Sequence, residues 1–157
     1  MTRMRHDRQR GFTMVETLVA LVVLAIGLLG IAALYLDSLR AGRTAIYRTQ
    51  AVNLSADLAD RIRANRGAIA SYIAAYTDVV VAVPACDTTA GCTAAEMAAT
   101  DVARWKAQVA QALPTGEGQV EVTAPALAGD PALYVITVRW TEVGQATPAT
   151  FQLRVTT

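Results

Sequence analysis

Hydrophobic and polar positions divide this chain into three regimes. From Thr17 to Leu36 there is no charged residue at all. At a rise of about 1.5 Å per residue, a helix over that stretch spans roughly 30 Å, the hydrocarbon thickness of a bilayer. Further on the apolar positions narrow to one stripe, Tyr47, Ala51, Leu54, Leu58 and Ile62, at helical spacing. After Gln119 they alternate: Val120 and Val122, then Tyr134, Ile136, Val138 and Trp140, then Phe151, Leu153 and Val155. That is the period of half-buried strands.

These regimes predict the elements. No proline interrupts Phe12 to Arg66, so one helix covers it, far longer than a typical globular helix. Asp57, Asp60, Arg61 and Arg63 fall off the stripe, and Asp57 with Arg61 forms a favourable i,i+4 pair. Asn65-Arg66-Gly67 is a helix stop, with cations in the last turn and glycine just beyond it. The connecting region, Ala68 to Cys92, has no clear pattern. Thr93-Ala94-Ala95-Glu96 fits a capping box. It opens a second helix to about Leu113, before Pro114, with Ala98, Val102, Trp105, Val109 and Leu113 as its buried face. Thr115 to Gly118 is a turn. Strands follow at Gln119–Thr123, Ala132–Thr141 and Ala149–Thr156, joined by Pro125 to Pro131 and by Gly144 to Pro148. The fold class is α+β: a long N-terminal helix packed on a small antiparallel sheet.

Charge gives the helix a direction. The leader, Met1 to Gly11, holds Arg3, Arg5, Arg8 and Arg10 against Asp7, and by the positive-inside rule it stays cytoplasmic while the C-terminal part faces the other way. Removing the leader takes away four Arg and one Asp and turns a formal +1 into −2, so the remainder lacks the basic excess of an electrostatic nucleic-acid binder. A secretory signal peptide would carry a small-residue cleavage site after its apolar region. Asp37 to Arg43 offers a poor one. Cys86 and Cys92 are an even pair in an exported domain and read as a disulfide worth roughly 2 kcal/mol for so small a ring. A metal site is the alternative, but two thiols lack companion ligands and the sole histidine, His6, lies in the leader.

One carboxylate, Glu16, sits just inside the apolar span. Such a group costs roughly 2.5–3.5 kcal/mol at mid-membrane and less near an end, so it points either to a function or to a tolerated interfacial residue of a signal anchor. The start Gly11-Phe12-Thr13-Met14-Val15-Glu16, behind a basic leader and ahead of an aliphatic helix, resembles the class III signal of type IV prepilins. The resemblance implies that prepilin peptidase cuts between Gly11 and Phe12 and methylates the new Phe12 amine. It also implies that Glu16 compensates the positive N-terminus of a neighbouring subunit in a filament.

The resemblance extends to the minor-pilin group called type IV pilus modification proteins. The stretches that carry it are Leu18 to Gly30, Asp57 to Arg66, and Asp101-Val102-Ala103-Arg104-Trp105 followed by Leu113-Pro114. It thins out after Val122. Major pilins usually carry a proline in the membrane half of the helix and a larger disulfide loop near the C-terminus. This chain has neither, which favours a minor subunit, with a type II secretion minor pseudopilin as the near alternative. The implied layout is a leader over 1–11, a transmembrane and assembly helix over 12–36, an amphipathic half-helix over 37–66, and a periplasmic head over 67–157. The implied partners are prepilin peptidase, other minor pilins, the major pilin and the inner-membrane assembly platform. The implied location is the bacterial inner membrane and then the pilus, at or near its tip, in a priming complex. Gly27 and Gly30 either loosen the helix or allow close helix packing.

Other classes fit less well. Without the leader the chain has no histidine, the commonest general base. Ser38, Ser55 and Ser71 have no visible partner, no phosphate-binding glycine loop is present, and no cofactor is implied. Trp105, Trp140 and Tyr134 could line a ligand surface, although their spacing is that of core residues. Arg61, Arg63 and Arg66 could grip DNA, or simply favour a helix C-terminus. A non-polymerising, signal-anchored periplasmic binding module is the alternative of a different class.

Overall fold

The computed structural model describes residues 11–89, 91–123 and 130–157. The leader up to Arg10, and residues 125–129 of the expected Pro125–Pro131 connection, lie outside the described residues. The elements run α1 (Met14–Ala64), two short 3-10 segments (Arg66–Tyr72 and Pro84–Asp87), α2 (Ala94–Ala112), then β1 (Glu117–Thr123), β2 (Leu133–Trp140) and β3 (Ala149–Thr156). The chain falls into two compact units that meet between Gly42 and Arg43.

In the first unit α1 has no tertiary partner among the described residues. Every side chain from Phe12 to Gly42 is exposed, and the helix is long and apolar enough to cross a membrane.

The second unit is α+β, with the remainder of α1 packed on a three-stranded sheet. The sheet order is β1-β2-β3 and both pairings are antiparallel. The expected stripe is what α1 buries there: Ala51, Leu58 and Ile62 are inaccessible, and Tyr47 and Leu54 pack at the margin. α2 begins with the expected capping box, in which Thr93 Oγ1 accepts from the Glu96 amide at 3.2 Å and the Glu96 carboxylate accepts from the Thr93 amide at 2.8 Å. Its buried face is Ala98, Val102, Trp105 and Val109, continued by Leu113. Tyr134, Ile136, Val138 and Trp140 project together from β2 into this core. Tyr72 meets Tyr134 edge to face, with ring centres 6.5 Å apart, a geometry the ring quadrupoles favour.

Three local expectations are corrected. The helix begins at Met14 rather than Phe12, because Thr13 supplies its cap. It ends at Ala64, and Gly67 does not stop the chain: Asn65 leaves helical geometry and a 3-10 segment continues through Gly67 to Tyr72, kinked at Ala68. That continuation carries Tyr72 into the core. The expected turn over Thr115 to Gly118 is shorter, since β1 already starts at Glu117 and Gly118 pairs with Val138. Thr115 takes the left-handed turn conformation at φ 49°. Gly118 is needed for space, because a Cβ there would run into the Trp105 ring.

Candidate assembly site

The Gly11 to Glu16 stretch is a helix start. Residues 11–13 are non-helical and α1 opens at Met14. The Glu16 amide donates to Thr13 Oγ1 at 3.3 Å and to the Thr13 carbonyl at 3.1 Å, and Thr17 Oγ1 donates to the Met14 carbonyl at 2.8 Å. Thr13 to Glu16 therefore repeats the Thr-x-x-Glu spacing that opens α2. The same local signal that marks Thr93 in the sequence is present at Thr13. A carboxylate in the first turn also faces the positive end of the helix dipole. Glu16 thus sits at a place where a helix tolerates an anion, one turn beyond the Gly11–Phe12 peptide bond. Phe12 is 80 % exposed, so that bond lies ahead of the capped helix and outside its hydrogen-bond ladder.

Behind Glu16 the apolar face is continuous and, among the described residues, unpartnered. α1 runs unbroken through Gly27 and Gly30, and a Cβ at either would meet nothing. Both positions leave open the close approach that small-residue packing requires.

The residues proposed for other functions are engaged inside the second unit. Trp105, Trp140 and Tyr134 are buried. Trp105 Nε1 donates to the Leu54 carbonyl at 3.0 Å, and Trp140 Nε1 to Glu142 Oε1 at 3.2 Å. They are core residues and not a ligand surface. Arg61 pairs with both Asp57 and Asp101, each at 3.0 Å, Arg63 pairs with Asp60 at 2.7 Å, and Arg66 Nε donates to the Arg63 carbonyl at 3.3 Å. Burial works against the Arg61 charge, but its bonds to Asp101 and Asp57 outweigh that and hold the guanidinium above its ordinary value. Tyr72 OH donates to Asp101 Oδ2 at 3.1 Å and accepts from Asn65 Nδ2 at 3.2 Å. Burial pushes its pKa up to about 12, against the donation from Asn65. A groove of about 490 Å³ runs past Arg61, Asn65, Thr93, Met97 and Asp101, but its charged groups already satisfy one another. Cys86 and Cys92 are joined in a disulfide with Cα atoms 4.9 Å apart, which removes both thiols as metal ligands.

Two family matches bear on this arrangement. Residues 6–32 match the prokaryotic N-terminal methylation motif, and residues 33–103 match the family described as Type IV pilin Tt1218. Over that second stretch the chain is similar to the type IV pilin family. The two matches adjoin, covering the helix start, all of α1 and the first half of α2. The methylation motif and the apolar α1 are consistent with a membrane-anchored, pilin-like chain. No curated protein and no solved structure matches the chain.

Proposed function

We propose that this chain is a type IV pilin, a minor pilus subunit of the PilV kind. It is processed by prepilin peptidase between Gly11 and Phe12, N-methylated on Phe12, and incorporated at or near the pilus tip as part of a priming complex. One observation carries the reading. Glu16 is the only charge between Gly11 and Leu36, it stands in the first turn of α1, and every side chain around and behind it is exposed.

In lipid, and later in a bundle of like helices, that surface is covered by hydrocarbon either way, so transfer between them involves little net hydrophobic change. The polar groups that remain are the new Phe12 amine and the Glu16 carboxylate. An amine on one subunit beside a carboxylate on the next is a charge-assisted pair whose strength rises where water is excluded. It fixes the axial register that aliphatic contacts leave free. In this layout residues 1–11 are the cytoplasmic leader, 12–36 the membrane and assembly helix, and 37–66 the amphipathic half-helix. Residues 67–157 are the periplasmic head, later displayed on the pilus. Prepilin peptidase, the inner-membrane platform, the major pilin and other minor pilins are the partners.

The test substitutes the carboxylate. Glu16→Gln and Glu16→Ala chains are expected to insert in the membrane and lose their leader normally, and to be missing from sheared pili. Normal recovery of both variants in pili would refute the assembly role of Glu16.

A further inference from the structure

Two features of the second unit are each half of a contact. β3 is the last strand of the sheet, and it pairs with β2 without a bulge. Ala132 and Thr157 exchange both backbone bonds, at 3.1 and 3.2 Å. In an antiparallel ladder this fixes the alternation, so Thr150, Gln152 and Arg154 direct their backbone N–H and C=O groups away from β2. Among the described residues nothing pairs with them. Natural edges are usually blunted by prolines, bulges or several charges. This edge has one charge, Arg154, and no proline, and it leaves Phe151 and Leu153 half-covered at the margin of the core.

The other half is a segment outside the sheet, Asp78 to Val83, extended at its Val83 end. Val79 is 91 % and Val81 73 % exposed, while Val80 between them packs on the core. The segment is held at both ends. Upstream, Ala74 bridges Val120 on β1, and Lys106 Nζ donates to the carbonyls of Ala75 and Asp78 at 2.7 and 2.6 Å. Downstream, the Val83 amide donates to the buried Thr100 hydroxyl at 2.9 Å. A β-branched segment already held at both ends loses little further freedom on pairing.

We propose that the free edge of β3 accepts the Asp78–Val83 segment of a second copy of this chain as an added antiparallel strand. The segment leaves the sheet at the β1 edge and the acceptor is the opposite edge, so one molecule cannot satisfy itself. Placing Asp78, whose carboxylate also accepts from the Ala75 amide at 2.7 Å, opposite Arg154 sets opposite charges side by side on one face, and brings Val79 against Leu153 and Val81 against Phe151 on the other, half-covered apolar face. Val80 and Ala82 then meet the outward backbone groups of Gln152 and Thr150. Such a contact joins two different patches and is heterologous. It does not depend on the role of Glu16.

Cross-linking between full-length chains in membranes tests it. Val79 and Leu153 would form a non-hydrogen-bonded pair, with Cα atoms about 4.5 Å apart, inside the disulfide range. Chains carrying Val79→Cys and chains carrying Leu153→Cys, co-expressed and oxidised, are expected to form a heterodimer. Val143→Cys, equally exposed at 87 %, is expected to give none with Leu153→Cys. Adding Val81→Lys to the Val79→Cys chain should reduce the product at least tenfold. Ala82→Cys with Thr150→Cys is an independent pair that leaves Phe151 and Leu153 in place. Absence of both cross-links, equal yield from Val143→Cys, or capture of only a different protein by Leu153→Cys and Thr150→Cys would overturn the proposal.

Discussion

Arg61 Nη1 lies 3.0 Å from Asp101 Oδ1, and Tyr72 OH donates to the other oxygen of the same carboxylate at 3.1 Å. One buried acid thus ties the last turn of α1, the 3-10 segment and α2 together. Removing either partner of a largely buried pair leaves an uncompensated group. Asp101→Ala is expected to destabilise the second unit by about 2–3 kcal/mol, measured by thermal unfolding of the detergent-solubilised chain. In a double-mutant cycle with Arg61→Ala the coupling should be about 1 kcal/mol or more. Additive losses would show that the two side chains act separately.

The same cluster predicts an alkaline limit. Tyr72 titrates near 10 in the unfolded chain and at about 12 in the fold. A raised folded pKa contributes stability in full below the unfolded value and loses it as pH rises through the folded one. Stability should therefore fall between pH 10 and pH 12, by up to about 3 kcal/mol. Tyr72→Phe should flatten most of that slope while lowering stability at neutral pH by about 1 kcal/mol, because Asp101 loses a donor. Tyr134, which burial also holds above its ordinary value, adds to the slope, and Lys106, which burial holds below its ordinary value, opposes it. An unchanged pH profile in Tyr72→Phe would assign the alkaline loss to other groups.

Gly118 faces Trp105 so closely that any side chain displaces the ring. Gly118→Ala is expected to cost about 1–3 kcal/mol through overpacking and to red-shift tryptophan fluorescence as the indole is displaced. A fully stable variant would mean that β1 can move away from α2.

The disulfide should matter less. Cys86 and Cys92 close a ring with a sequence separation of only 6, and the loop-entropy account gives roughly 2 kcal/mol for it. Cys86→Ser with Cys92→Ser should leave the second unit folded and lower its stability by no more than about that amount. Alkylation with and without reduction checks oxidation in the native chain.

How much of this was legible depends on the range of the interaction. The α1 stripe, the α2 capping box, the face from Ala98 to Leu113 and the three alternating strands follow from local periodicity and capping chemistry, and the structure has them. The charged residues near the end of α1 were less legible. Asp57 and Arg61 pair as their spacing implies, but Arg61 also reaches Asp101, 40 residues away, and no local pattern signals that. The 3-10 continuation past Gly67 is set by the burial of Tyr72 rather than by the stop chemistry of Asn65-Arg66-Gly67. Gly118 looked like a turn residue because a glycine chosen for space and one chosen for a turn are the same letter. At the N-terminus the residue type and spacing of Glu16 are plain in the sequence, whereas the cap at Thr13 is a single hydroxyl ahead of an apolar run, with no polar pattern beyond Glu16 to mark it.

The most direct measurement is the mass of the N-terminal peptide of the chain isolated from the wild-type host. The account predicts a peptide that begins at Phe12 and carries one methyl group on its amine. An intact Met1, or a new N-terminus after Leu36, would contradict it.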